Sequence, residues 1–429
     1  MSKMTSQRLK HAIDAKAAFY LALVLHRVCL DYAYVQFVAA RAWQAGFPLD
    51  VRPGWYAASW LTYILAATLI RRSNARPSNY FIAALYFIFF APVTAFFGLT
   101  AASPAAFAII TAAIIALPLV ASARDVPVPV ISTRYFNGIG IAMLLTIITV
   151  AWLVANGGLQ YFGFDLSEIY ADRAETFDRF YRGPFAYLVV WAPKLFVSLI
   201  LCHALLTRRY ALVVAAIAVD LCFFAITKHR AILVYPVVLL FIFFHGRGFR
   251  TINLLPISLA SMIVVSMVVL EATGTIYPAS LFVRRALFVP AKDAFDYIAF
   301  FASNVHVYWS NSILESWLSY PYPAAPQQII ADARGSSGWV NNGFIANGYM
   351  HAGIGGVALY TLLCGMVLKI LDSLSHRIPA WFATAVIAPA LFSLLFSSDL
   401  LTALLTHGVG AGVALLALYR PPSQNQSDQ

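Results

Sequence analysis

Long apolar runs separated by short polar segments make up most of this 429-residue chain. Most runs have about 17–25 residues, enough to cross a hydrocarbon core of roughly 30 Å as an α-helix with its backbone hydrogen bonds satisfied internally. Apolar and polar residues do not alternate within the runs, which excludes a membrane β-barrel. The pattern predicts an all-α polytopic membrane protein of about 12 transmembrane helices. The predicted spans are residues 17–40, 55–70, 79–97, 105–121, 137–155, 185–206, 210–227, 231–244, 252–272, 344–371, 380–396 and 400–418.

The composition agrees with a membrane protein. Hydrophobic residues make up 61% of the chain and charged residues only 11%, with a mean hydropathy of +0.76. These values lie far outside the range of soluble globular domains. The four cysteines lie inside apolar runs, so no disulfide framework is expected.

The net charge of +11 comes from basic residues in short loops between the spans, as in proteins that follow the positive-inside rule. With residues 1–16 as a cytoplasmic N-terminus, alternate loops rich in Lys and Arg fall on the inner side. Residues 17–418 then form a single membrane domain with two larger outer loops, at about 156–184 and 273–342. Residues 419–429 are predicted to be a disordered cytoplasmic tail.

One short outer turn, Lys228-His229-Arg230, breaks this charge pattern. Two permanent positive charges in a translocated turn are disfavoured unless something uses them. One interpretation is a functional site. The other is that the span count is wrong by one, or that these side chains reach lipid headgroups.

Basic residues of the outer loops are candidates for cradling a diphosphate, provided that they converge from different loops. Arginine forks match phosphate oxygens, although arginines at a membrane surface can also contact lipid phosphates. The candidates are Arg173, Lys228, Arg230, Arg284, Arg285 and Arg334.

The first outer loop adds acids and aromatics, including Asp172 and Glu175, a mixture that suits a sugar carrying a phosphate. The same residues also fit an amphipathic helix on the bilayer, with Asp172, Glu175, Arg179 and Arg182 paired at helical spacing. His306 and His351 are the histidines nearest the second loop. No metal-ligand motif or nucleotide-type Gly loop is present, so neither a metal nor another cofactor is expected.

The second outer loop and the span after it contain an ordered set of motifs. They are Arg284-Arg285-Ala286-Leu287-Phe288-Val289-Pro290, Tyr297 to Phe301, Asn341-Asn342-Gly343-Phe344-Ile345-Ala346-Asn347-Gly348-Tyr349, and Gly353-Ile354-Gly355-Gly356. With the charged residues of the earlier outer segments, this combination resembles the bacterial oligosaccharide repeat-unit polymerases of the Wzy type. Within the motifs, the glycines suit close helix packing, and Asn342 and Asn347 are expected to line a cavity.

The resemblance implies a metal-independent glycosyltransferase with a GT-C-like fold in the bacterial inner membrane. It would join undecaprenyl-diphosphate-linked repeat units on the periplasmic side, alongside a flippase and a chain-length regulator, into a surface polysaccharide. The implied donor- and acceptor-binding residues are Arg173, Lys228, Arg230, Arg284, Arg285, Arg334, Asn342 and Tyr349. The implied candidates for the catalytic base are Asp172, Glu175, His229 and His306.

Two other functions remain in competition. An O-antigen ligase, of the WaaL type, is disfavoured because Asn341 stands where such ligases carry a histidine. A secondary transporter or flippase would suit about twelve spans and a basic lumen, and His26, Arg27 and Asp31 in the first span favour it. Of these, Arg27 and Asp31 could carry opposite charges. These two residues are one helical turn apart, and we expect them simply to pair with each other.

Overall fold

A computed structural model of the protein describes residues 2–40, 46–123, 126–128, 137–164, 169–248, 252–336 and 338–421, with side chains except at 2–15, 169–174 and 248. This part of the chain contains helices and no β-strand, which confirms the all-α prediction. Residues 422–429, and with them most of the predicted disordered tail, lie outside the described residues.

The α-helices are numbered in chain order. They are α1 (Ser2–Ala33), α2 (Pro53–Ala67), α3 (Pro77–Ala84), α4 (Ala91–Thr100), α5 (Pro104–Ala121), α6 (Gly138–Ala155), α7 (Ile169–Phe180), α8 (Phe185–Trp191), α9 (Val197–Leu206), α10 (Tyr210–Thr227), α11 (Tyr235–Gly248), α12 (Leu254–Thr273), α13 (Val289–Ser303), α14 (Pro326–Ala333), α15 (Phe344–Leu374), α16 (Ala380–Phe396), α17 (Leu400–Leu404) and α18 (Val409–Leu418).

Ten helical segments of the described residues are long and apolar enough to cross a membrane, and each coincides with a predicted span. The other two predicted spans also fold as helices but are shorter, with 15 residues in α2 and 17 in α16. The chain is therefore a multi-pass membrane protein.

Among the described residues, three spans and the second predicted outer loop contain a stretch of the wider π-helix. In the described residues these stretches are Tyr34–Val38, Leu85–Phe90, Ala192–Phe196 and Ala279–Phe288. Proline accounts for the third one, because Pro193 has no N–H to donate to the preceding turn. The ladder widens there, and the Val197 N–H donates to the Ala192 carbonyl, five residues back. Short π segments are often found at functional sites in membrane and soluble helices.

One compact unit of the chain contains residues 1–73, 79–122 and 251–365. Within it, α1 packs against α12, and α2 packs against α4. The chain after α1 returns over the end of that helix, where Phe47 packs edge-on against Tyr34 and Phe96. Tyr34 also contacts Phe288, with ring centroids 5.0 Å apart. This aromatic group supports the π segment that carries Arg284 and Arg285.

A buried polar network in the same unit contains Arg27, whose side chain is 0% exposed. Its Nε donates to Asp31 Oδ1 at 2.9 Å, and its two Nη atoms donate to the hydroxyls of Thr94 and Ser59 at 3.1 Å. The Tyr56 hydroxyl donates to the other oxygen of Asp31 at 2.8 Å. The predicted pairing of Arg27 with Asp31 is confirmed.

The second compact unit contains residues 74–78, 123–250 and 366–429. Within it, α9 packs against α6, α10 and α16, and α16 also packs against α11 and α18. The turn between α17 and α18 fits tightly on this bundle. Gly408 there has φ of +83°, and a Cβ on it would lie 2.7 Å from an indole carbon of Trp191. Only glycine fits both the backbone conformation and the space.

The long helix α15 is broken near its beginning. Ala352 and Gly353 have non-helical backbone angles, and Gly353 combines φ of 57° with ψ of −140°. At this break the chain packs against itself, since a Cβ on Gly348 would lie 2.8 Å from the carbonyl oxygen of Gly356. The predicted close packing is confirmed for Gly356. It is wrong for Gly355, because a Cβ there would meet nothing within 4 Å.

We expect Gly353→Ala to lower the unfolding free energy by about 1–3 kcal/mol, because its backbone conformation is open only to glycine. Gly355→Ala is the matched control. It adds the same methyl group in open space, and in a helix that change should be neutral or stabilising by up to about 1 kcal/mol. Thermal unfolding of the two purified variants in detergent measures the difference. Equal melting temperatures for both would contradict the break at Gly353.

Candidate functional site

The second predicted outer loop folds largely as helix. After α12 the chain enters the π segment Ala279–Phe288, which continues directly into α13. Lys292, Asp293 and Asp296 on α13 come within one turn, so helical periodicity places them close together. Arg334 caps the C-terminus of α14 and reaches the same place. The sequence therefore brings two basic and two acidic side chains together from positions about 40 residues apart in the chain.

These four side chains form a connected ion network. The Arg334 guanidinium donates to Asp293 Oδ1 at 2.7 Å and lies 3.0 Å from Asp296 Oδ2. The Lys292 ammonium donates to the same Asp296 oxygen at 2.6 Å. Lys292 and Asp293 are buried, whereas Arg334 and Asp296 are partly exposed. The ion pairs of this network are short, and it is accessible from outside the protein at Arg334 and Asp296.

Arg284 interacts electrostatically with Asp293 of this network, and Arg285 is the next residue in the chain. Arg284 is half-buried with its guanidinium 5.5 Å from the ring centre of Phe47, and its Nε has no hydrogen-bond partner among the described residues. Burial lowers the pKa of Arg284, and the charge of Arg285 lowers it further, while Asp293 acts in the opposite direction. Arg285 is exposed, and the described residues give it no ion pair. We call Arg284, Arg285, Lys292, Asp293, Asp296 and Arg334 the arginine cluster.

Burial raises the pKa of Asp293 from 3.8 to about 6. The Arg334 guanidinium, which contacts this carboxyl, has the opposite but smaller effect on its pKa. The side chain of Asp293 is only 5% exposed, and removal from water outweighs the ion pair. Asp296 raises the pKa of Asp293 as well, and Lys292 lowers it. Asp293 therefore changes its charge close to neutral pH.

This raised pKa predicts a specific pH dependence of stability. The folded protein holds the Asp293 proton more tightly than the unfolded chain, so the stabilisation is complete below about pH 4 and is lost as the pH rises through about 6. The loss should be on the order of 1–3 kcal/mol. Melting curves between pH 4 and 7.5 should show this decline in the wild type, and it should be absent from Asp293→Asn. The exposed Asp332→Asn should keep it, and an unchanged profile for Asp293→Asn would contradict the assignment.

Asn342 and Asn347, at the start of α15, are buried, and their side chains form hydrogen bonds with nearby backbone groups. Asn342 Oδ1 accepts from the Gly343 N–H at 2.8 Å, and Asn347 Nδ2 donates to the Asn342 carbonyl at 2.6 Å. Asn342 Nδ2 is buried without a hydrogen-bond partner among the described residues. These contacts place both asparagines at the start of α15, and their predicted position on a cavity wall stays a prediction.

His306 and Tyr349 meet beside the break in α15. Their rings pack edge to face with centroids 5.7 Å apart, and Tyr308 packs on the same histidine at 6.0 Å. His306 is half-buried, and its Nδ1 has no hydrogen-bond partner among the described residues. A Cβ on Gly353 would lie 3.3 Å from its Nε2. The Nδ1 of His351, by contrast, is hydrogen-bonded, because it accepts from the Trp309 N–H at 3.1 Å.

The second unit holds the other predicted basic residues. Lys228 ends α10 in a left-handed conformation, with φ of 58°, and its buried ammonium donates to the Gly163 carbonyl at 3.2 Å. His229 is half-buried, and Arg230 is exposed at the start of a short 3₁₀-helix, Arg230–Val234. The prediction of a short charged turn between two spans is confirmed. Lys228 contacts the first outer loop from this turn.

The first outer loop contains the predicted helix, α7. The Tyr161 hydroxyl donates to Glu175, and Arg179 donates to the same hydroxyl at 3.1 Å. Arg182 donates to the Asp178 carbonyl at 2.7 Å instead of pairing with a carboxylate. The side chains of Asp172 and Arg173 lie outside the described residues, so their predicted roles stay predictions.

A cavity of about 290 Å³ lies in the second unit. Two of its polar lining residues, Lys194 and His407, were not predicted as site residues from the sequence. Lys194 on the π segment Ala192–Phe196 is 7% exposed. Its ammonium donates to Ser393 Oγ at 3.1 Å and lies 2.8 Å from His407 Nδ1. A lysine inside an apolar run is the signal that could have identified this site. The predicted residue His229 also lines this cavity.

The described residues contain no group of His, Cys, Asp and Glu side chains that could hold a metal ion. The chemistry available to them is therefore that of positive charge, hydrogen-bond donors, imidazoles and carboxylates. The arginine cluster can hold an anion, and the half-buried imidazoles can accept a proton. Comparison of the chain with protein-family models, with curated proteins and with solved structures gives no match.

Proposed function

We propose that this protein is a metal-independent membrane glycosyltransferase that polymerises undecaprenyl-diphosphate-linked oligosaccharide repeat units into a surface polysaccharide. The observation that carries the proposal is the arginine cluster of the first unit. Two basic and two acidic side chains form ion pairs there, Arg284 interacts with the network through Asp293, and Arg285 adjoins Arg284. A lipid diphosphate needs that combination of positive charge and membrane proximity.

The arginines suit the leaving group of such a reaction. When a hydroxyl of the acceptor sugar attacks the anomeric carbon of the donor, negative charge develops on the departing diphosphate. Arg284 and Arg285 have no ion pair among the described residues and can offer their guanidinium groups to it. Asp293 and Asp296 hold Arg334 in place, so its fork is oriented before the substrate arrives.

The catalytic base must accept the proton of the attacking hydroxyl. His306 is the favoured candidate because it belongs to the same unit as the arginine cluster and its Nδ1 makes no hydrogen bond in the described part of the chain. His229 and Glu175 of the second unit remain candidates, as does Asp172. Tyr349 packs on His306 and would orient its ring. Asn342 stays a candidate for substrate binding, because its Oδ1 accepts from the Gly343 N–H while its Nδ2 has no hydrogen-bond partner among the described residues.

The proposal includes a location and partners. The protein would have a GT-C-like architecture in the bacterial inner membrane, with both termini in the cytoplasm and the arginine cluster at the periplasmic face. A flippase would deliver the lipid-linked repeat units, and a chain-length regulator would act with the polymerase. No cofactor is required.

A flippase or transporter for an anionic lipid-linked substrate is the second candidate. The observation that favours it is the presence of buried ionisable residues inside spans, such as Lys194 and Asp220. An O-antigen ligase is the third candidate, and Asn341 disfavours it as before. The three functions differ in what happens to the substrate, so assays that start from the same substrate can separate them.

The test is an assay with purified protein in nanodiscs, given undecaprenyl-diphosphate-linked repeat units from the native host, without metal or nucleotide. A product ladder with steps of one repeat unit is the expected result. Unchanged substrate that crosses the bilayer of a proteoliposome would instead identify a flippase. Transfer only after addition of a lipid A-core acceptor would identify a ligase. Either result would overturn the polymerase.

A further inference from the structure

The polar part of the cavity in the second unit is centred on one buried lysine, Lys194. Pro193 interrupts the helical hydrogen bonds of its span, and the resulting π segment carries Lys194 at the cavity wall. The ammonium group has three N–H donors, and the described residues provide acceptors for two of them, Ser393 Oγ and His407 Nδ1. No ion pair in the described part of the chain includes Lys194. Its charge is thus left without a counter-ion there.

His407 is held beside Lys194 by the turn between α17 and α18. The indole N–H of Trp191 donates to the carbonyls of Leu405 and Thr406 at 3.1 and 3.0 Å, and Gly408, with its φ of +83°, follows directly after the histidine. Because the Lys194 ammonium donates to Nδ1, the proton of a neutral ring lies on Nε2. The cavity wall therefore has a second donor, at a position fixed by the backbone.

The rest of the lining favours an anion with an apolar neighbour. The lining residues are Phe177, Tyr181, Ala186, Val189, Val190, Pro193, Lys194, Thr227, His229, Ile232, Tyr235, Thr406 and His407. None of them is acidic, and His229 adds a third basic side chain. Asp220 interacts electrostatically with the lining residue Tyr235, and Asp178 lies on α7 between the lining residues Phe177 and Tyr181, but neither acid is part of the lining. Most of the wall is aliphatic or aromatic.

We propose that this cavity is a binding site for a phosphate group, held by the Lys194 ammonium and the His407 Nε2–H. A buried cation without a counter-ion is costly inside a membrane protein, and a bound anion removes that cost. The volume of about 290 Å³ leaves room beyond the phosphate, and the apolar wall fits an attached acyl chain. The group can be carried by a lipid or free in solution, and the site is independent of the reaction proposed above.

The experiment is a titration of the purified full-length protein in a phosphate-free detergent, followed by native mass spectrometry. Dioleoyl phosphatidic acid is the probe, and dioleoylglycerol, which has the same chains without phosphate, is its control. Inorganic phosphate is tested separately by equilibrium dialysis. We expect phosphatidic acid to bind and dioleoylglycerol not to. Binding of inorganic phosphate with equal affinity would assign the site to a soluble anion, and selective binding of phosphatidic acid would assign it to a lipid.

Two variants locate the binding. Lys194→Met should weaken the binding of phosphatidic acid by roughly 10–100-fold, since it removes a charged hydrogen-bond donor. Val190→Trp should block the cavity from its apolar side without changing Lys194 or His407. This variant tests the same cavity if Lys194→Met does not fold. Lys369→Met, which removes a lysine elsewhere in the same unit, should bind like the wild type. Equal binding of phosphatidic acid and dioleoylglycerol, or wild-type binding by the folded cavity variants, would overturn the proposal.

Discussion

Replacement of Arg285 by alanine should lower polymer synthesis by roughly 100-fold or more without lowering the amount of folded protein. Loss of a group that stabilises developing charge in a transition state typically costs 10²–10³-fold in rate. Arg285 is exposed and has no ion pair among the described residues, so its removal leaves no buried charge behind. Rates from the product ladder, with protein amounts measured after size-exclusion chromatography, give the result.

Two further variants sharpen this prediction. Arg52→Ala removes another exposed arginine of the same unit, one that is 59% exposed and paired with Asp50, and it should leave the rate unchanged. Arg285→Lys keeps the charge but loses the planar fork, so partial activity indicates a point charge, and activity as low as alanine indicates bidentate phosphate binding. Normal polymer from Arg285→Ala would rule out this arginine as a contact to the leaving group.

Replacement of Arg27 by methionine should be the most destabilising of the substitutions considered. Arg27 is fully buried in a span and contacts Asp31, Ser59 and Thr94. Removal of one partner leaves Asp31, only 12% exposed, without its counter-ion, which typically costs about 3–5 kcal/mol. We expect a marked drop in melting temperature in detergent and a low yield of monodisperse protein.

The same unit supplies the control for this effect. Arg52 and Asp50 also form an Arg–Asp pair, at 3.2 Å, but both are more than half exposed, so Arg52→Ala should cost no more than about 1 kcal/mol. The double variant Arg27→Met/Asp31→Asn should recover part of the lost stability, because it also removes the orphaned carboxylate. If Arg27→Met melted like Arg52→Ala, the buried network would not contribute to stability.

Local patterns were sufficient to predict most of the helices. Apolar runs of membrane-spanning length gave ten segments that the structure contains, and one-turn spacing gave the pair of Arg27 and Asp31. The interpretation of the first predicted outer loop as a helix is confirmed for Ile169–Phe180. These features depend on residues close in sequence, so hydropathy and helical periodicity are enough to find them.

The features that define the candidate sites depend on distant residues. Arg334 meets Asp293 across 41 positions, and Lys194 meets His407 across 213. Nothing in the neighbourhood of either residue indicates its partner, because the pairing is set by how spans pack. The hydrogen bonds by which Asn342 and Asn347 join the backbone at the start of α15 were likewise not predicted from the polarity of these residues.

The π segment Leu85–Phe90 sets the helical phase of everything that follows it in its span. A π turn holds one residue more than an α turn, and each residue of an α-helix turns the chain by about 100°, so conversion of this segment to regular α-helix with the same number of residues would rotate the face of α4 by that angle. Thr94, which accepts from Arg27 and lies downstream of the segment, would then point away from α1. The π conformation of Leu85–Phe90 thus acts on a buried arginine of α1 indirectly, by setting the direction in which Thr94 points.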